Sequence, residues 1–123
     1  MTDGVADLLD TLHHTAVHVL ETVILLDQAT FNQATFNQAP SAARLHNELG
    51  EHLRVLAQTI DALPPEVIRA RRNLRLAELA RLPALLARPD IRPSVRVLRR
   101  TLETPMREII RVVPKRARVP KGY

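Results

Sequence analysis

The chain has 123 residues, enough for one domain with a modest core. It is 46% hydrophobic but only 2% aromatic, which excludes a disordered polar chain and calls for an aliphatic core. It has no cysteine, which excludes disulfides, thiolate metal sites and cysteine nucleophiles. The net charge of +5 conceals an asymmetry. Residues 1–63 hold two basic residues against eight acidic ones, a net of −6, while residues 64–123 hold sixteen against five, a net of +11. Such a split points to an anionic partner for the second half, or to acidic and basic helices packed on each other.

The first helix is expected from about Gly4 to Ala29, extending as far as Asn37, with Thr2 or Asp3 as its N-cap. Val5, Leu9, Leu12, Ala16, Val19, Val23 and Leu26 recur at alternating steps of four and three, which keeps one seam toward a partner helix. Leu8, Val17, Leu20, Ile24 and Leu25 lie off that seam. A helix so apolar must be central in its bundle or covered by another chain, and a second chain is the expectation here. Leu8, Val17, Leu20 and Ile24 are therefore candidate interface residues. The first ten residues carry three aspartates and no basic residue, unlike a secretory leader. The run Val23-Ile24-Leu25-Leu26 is too short to span a bilayer.

A tandem repeat follows, Ala29-Thr30-Phe31-Asn32-Gln33 and then Ala34-Thr35-Phe36-Asn37-Gln38. A period of five fits neither helix nor strand, so the repeat reads as a duplication tolerated at a helix end or in a loop. Phe31 and Phe36 complete the candidate interface, as buried aromatic anchors do.

A second helix starts at Pro40-Ser41 and runs to about Ala62, with Leu45, Leu49, Leu53, Leu56, Ile60 and Leu63 on its apolar face. Gly50 inside it signals a close helix approach or a bend. Helices one and two are expected to form a long antiparallel hairpin. Pro64-Pro65 ends the second helix and starts the next. The third helix is expected from Pro65 to Leu82, with a kinked extension past Pro83. Val67, Ala70, Leu74 and Ala77 form one stripe and Ile68, Leu76 and Leu79 the opposite one, which implies contacts on both sides.

Pro89 to Pro93 is a turn-rich connection. A fourth helix starts at its N-cap Ser94 with Val95, Leu98 and Leu102 inward, and Thr104-Pro105 signals a restart as a short fifth helix. The fold class is thus all-α, a bundle of four or five helices in one domain over 1–113, followed by a flexible basic tail over 114–123.

Arginine carries most of the basic charge. Arg92, Arg96, Arg99 and Arg100 line one side of the fourth helix, and Arg107 and Arg111 continue it. With Arg69, Arg72, Lys115, Arg116 and Arg118 they form the candidate anion-binding or nucleic-acid-binding set, because guanidinium forks match phosphate and carboxylate oxygens. With no aromatic residues interleaved, any nucleic acid would be held by its backbone. Residues 114–118 also fit a loose nuclear-import pattern.

His14 and His18 are four apart, as are Glu48 and His52, so four ligands could meet if these faces packed together. The paired Glu-x-x-His pattern of carboxylate metal bundles is missing, so these four residues are weak metal candidates and no cofactor is expected. No phosphate loop or nucleophile elbow is present, and Ser41 and Ser94 sit where caps belong. The expected function is a non-enzymatic interaction subunit. It would assemble through apolar helix faces, with itself or with another protein, and dock its arginine-rich half on an acidic or phosphate-bearing partner. Nucleic-acid binding and a metal-binding bundle are the alternatives. The expected location is the cytoplasm, or the nucleus in a eukaryote.

Overall fold

A computed structural model describes residues 2–36, 39–86 and 94–113, with side chains described for 4–29, 44–84, 86 and 94–113. The chain is an all-α helical bundle, and no strand occurs among the described residues. The helices are α1 (Thr2–Phe36), α2 (Ala39–Ala62), α3 (Pro65–Ala70), α4 (Leu76–Leu79), α5 (Leu82–Leu86) and α6 (Val95–Val112), with a 3-10 turn at Arg72–Leu74.

Helix α1 is the centre of the bundle and packs along both α2 and α6. Its seam explains this: Leu12, Ala16, Val19, Val23 and Leu26 are wholly buried. Only two residues separate α1 from α2, so α2 must fold back antiparallel, as expected of the hairpin. Helix α6 is antiparallel to α1 as well. Arg99 meets Asp27 near one end of the contact, and Val113 meets His13 near the other. Leu49, Leu53, Leu56 and Ile60 of α2 and Leu102, Met106 and Ile109 of α6 close the core around α1.

Several elements differ from expectation. Helix α1 already includes Thr2 and Asp3, so neither precedes it as a cap, and it runs through Phe36. The backbone of the repeat up to Phe36 is therefore helical; the side chains of Phe31 and Phe36 lie outside the described residues. Gly50 is exposed, and a Cβ there would meet nothing within 4 Å, so it does not serve a close approach.

The expected third helix is broken. Leu74 and Leu76 are both buried, yet residues two apart point in nearly opposite directions on a continuous helix. The chain resolves the conflict at Arg75, which adopts the left-handed conformation at φ 53°, ψ 45°. That turn re-phases the helix and puts Leu74, Leu76 and Leu79 into one core, while Ala70 and Ala77 are exposed. The two opposed stripes mark a break rather than coverage from two sides.

Ser94 caps α6 as expected, its hydroxyl accepting from the Val97 N–H at 3.2 Å. The restart at Pro105 does not occur; α6 continues through it to Val112. The basic tail, along with Arg92, lies outside the described residues. No described helix is long and apolar enough to cross a membrane.

Candidate functional site

The Ser94 cap and the burial of Leu98, Leu102, Met106 and Ile109 fix the rotational phase of α6. With that phase set, Arg96, Arg100, Arg107 and Arg111 fall within an arc of about 60° on the exposed side, over a length of roughly 22 Å. All four are exposed.

Arg99 differs. It turns toward α1 and donates to Asp27 Oδ2 at 2.8 Å, with Asp27 only 14% exposed. Glu103 lies 3.6 Å from Arg99 and 3.5 Å from Arg107, so the acids and guanidiniums alternate along the α1–α6 edge. The hydrogen bond to Asp27 raises the proton affinity of Arg99 above its ordinary value; desolvation opposes this, and the field of Glu103 adds to it. Arg111 pairs locally with Glu108 at 2.7 Å. Arg96 and Arg100 meet no carboxylate among the described residues.

The structure thus gathers four of the candidate arginines on one face and withdraws Arg99 into an internal pair. Arg69 and Arg72 are exposed on α3 and the 3-10 turn, and that turn packs against α6. Arg71 folds back onto the Val67 carbonyl at 3.4 Å. Lys115, Arg116 and Arg118 lie outside the described residues, as does Arg92.

Of the apolar candidates, Leu8, Leu20 and Ile24 are half-buried against the chain's own core, and Val17 is half-buried too. Leu25 remains 51% exposed.

The histidines divide differently from their spacing. His14 sits 3.3 Å from Asp10 and edge-on to His13, rather than acting with His18. Glu48 pairs with Arg44 at 3.4 Å. His18 and His52 do come together across α1 and α2, their rings stacked with centroids 5.3 Å apart. The four-ligand arrangement does not form, and among the described residues no three His, Asp or Glu side chains converge as a ligand set.

Two features escaped sequence reasoning. His13 Nδ1 lies 2.6 Å from the Val113 carbonyl. A carbonyl only accepts, so this nitrogen carries the proton and donates. A contact between residues 100 positions apart leaves no local signal. The second is a cavity of about 400 Å³ between the α4–α5 segment and α6, lined in part by Leu74, Leu79, Leu82, Thr101, Pro105 and Glu108. It depends on the break at Arg75. Comparison with protein-family models, with curated proteins and with solved structures found no match to this chain.

Proposed function

We propose that the chain is a non-enzymatic docking protein whose α6 arginine face binds an anionic partner, an acidic protein surface or a phosphate backbone. The observation that carries this reading is the exposed row Arg96, Arg100, Arg107 and Arg111, in which Arg96 and Arg100 meet no carboxylate among the described residues. Like charges at i,i+4 cost a few tenths of a kcal/mol, so the Arg96–Arg100 pair burdens the isolated chain and is relieved when an anion arrives. Among the described residues, Arg99 is the arginine of the second half that reaches an acid of the first. The acidic half therefore does not neutralise the row.

Binding rather than catalysis is favoured because the guanidiniums stand on a convex helix face, which cannot exclude water around a reacting bond. Support for assembly through apolar faces is thinner. Among the described residues the large exposed apolar ones are Leu25, Val55, Val97 and Val112, distributed over three helices, and single exposures of this kind are ordinary.

The test is fluorescence anisotropy with a short labelled duplex and with a polyglutamate peptide, across salt concentrations. If four phosphates are neutralised, duplex affinity falls about 150-fold between about 50 and 200 mM salt. Substituting Arg96, Arg100, Arg107 and Arg111 by Gln abolishes binding and flattens the dependence. Failure to bind either probe at low salt, or unchanged binding by the variant, overturns the reading.

A further inference from the structure

We propose that His18 and His52 form an interhelical site for Zn²⁺, a clasp between α1 and α2 that is independent of the arginine face. The rings lie with centroids 5.3 Å apart and planes 21° from parallel. His18 is exposed and His52 half-buried, so an ion can reach both from solvent. Unlike His13, held on the Val113 carbonyl, and His14, held on Asp10, neither ring is tied to a carbonyl or carboxylate among the described residues. Each neutral imidazole therefore keeps a lone pair to offer.

The separation selects the geometry. A ligating nitrogen sits about 2.0–2.1 Å from zinc, which puts the ring centre about 3.2 Å from the ion. Two such rings at a tetrahedral angle have centres about 5.2 Å apart; at the right angle of square-planar or octahedral sites the figure is about 4.5 Å. The observed centroid spacing of 5.3 Å is close to the tetrahedral figure, although the stacked rings do not yet turn their nitrogens to one point. The adjustment needed is rotation of each ring about χ2, a soft torsion, to turn a nitrogen toward the shared point. Water completes the coordination, and two protein ligands make the site weaker than a four-ligand structural zinc site.

The experiment uses the full chain, freed of any purification tag and stripped with chelator. Thermal denaturation is followed against added ZnCl₂, and Co²⁺ is added separately, because tetrahedral Co²⁺ absorbs visible light far more strongly than the hydrated ion. The expected result is a rise in Tm of roughly 10 °C at zinc about 100-fold above its dissociation constant. The rise and the Co²⁺ bands disappear in His18→Ala and in His52→Ala, persist in His14→Ala, and occur with the mass of a monomer. Both lost side chains reach solvent, and circular dichroism confirms that each variant is folded. Absence of any zinc effect overturns the proposal. So does an effect lost in His14→Ala but kept in His52→Ala, which would be a chelate within α1. A zinc effect accompanied by doubled mass also overturns it, since the site would then lie between two copies.

Discussion

Replacing Pro105 by Ala should stabilise the protein, and the size of the gain follows from why α6 tolerates the proline. Pro105 lies inside the helix and supplies no N–H to the Thr101 carbonyl, an arrangement that costs about 3 kcal/mol in a helix interior. A restart at this point would throw Met106, Ile109 and Val113 out of phase with Leu98 and Leu102. The first three are wholly buried, and burying them contributes roughly 5–9 kcal/mol. Burial of these side chains outweighs the missing hydrogen bond, and the helix stays continuous. Thr101 and Pro105 also border the cavity, so the Thr101 carbonyl that Pro105 cannot serve lies close to solvent. In Pro105→Ala most of the 3 kcal/mol is recovered. About 0.4–1 kcal/mol is lost again because the unfolded chain becomes freer. Removing the half-buried ring loses under about 1 kcal/mol more. The net gain is about 1–2 kcal/mol, and at about 4 °C per kcal/mol for a chain of this size the Tm rises by about 4–8 °C. Thermal denaturation and urea unfolding at unchanged m-value measure it. A Tm that stays level or falls would refute the reasoning, because the proline would then be contributing a contact worth more than the bond it removes.

Arg75→Gly should also stabilise, by about 0.5–1 kcal/mol. The left-handed conformation costs a residue with a Cβ about 1–2 kcal/mol, and glycine escapes this while losing part of it to unfolded-chain entropy. Urea unfolding checks it, and a destabilised variant would mean that the Arg75 side chain holds the turn. The arginines of α6 should separate into two classes. Arg99→Gln lowers Tm because it leaves Asp27 mostly buried and without its guanidinium, whereas the double change Arg96→Gln, Arg100→Gln raises Tm by no more than about 1–2 °C, through relief of the like-charge pair, and weakens anion binding. Parallel melting curves and anisotropy titrations decide, and a double variant that melts early would place those two arginines in the structural class.

The parts of the fold that were legible in the sequence are those with a single consistent phase. The α1 seam is one: a repeat with alternating steps of four and three has only one way to face inward, and its central residues are wholly buried. The α2 face and the Ser94 cap are others. Where two local rules conflicted, the winner was set by tertiary packing. At Leu74 and Leu76 the sequence displayed the conflict as two stripes, but choosing between a backbone break and a second covering surface required knowing what α2 and α6 already covered. At Pro105 a start signal lost to the buried face on either side of it. The candidate site divided likewise. The arginine row follows from spacing on one helix. The removal of Arg99 from that row follows from the α1–α6 register, which the pairs 27–99 and 13–113 make visible. His18 pointed away from the seam, as its spacing implied, yet the edge of α1 is where α2 brings His52.

Burial separates Arg99 from the other four arginines of α6. Arg99, 33% exposed, stands at the α1–α6 edge and has two acids; Arg107, 60% exposed, shares one of them; Arg111, 68% exposed, has a local one. Arg107 and Arg111 thus pair with carboxylates of their own helix, while Arg96 and Arg100 have none among the described residues, so pairing within the exposed four follows the local sequence rather than depth. Desolvation accounts for the inner member, Arg99, since a charge at a helix–helix edge is costly unless an opposite charge accompanies it. It does not account for the outer ones. An exposed guanidinium adds little to folding, and two of them one turn apart subtract slightly. The outer arginines are therefore the part of α6 that stability does not explain, and that is the physical ground for assigning them to docking while Arg99 is assigned to the fold.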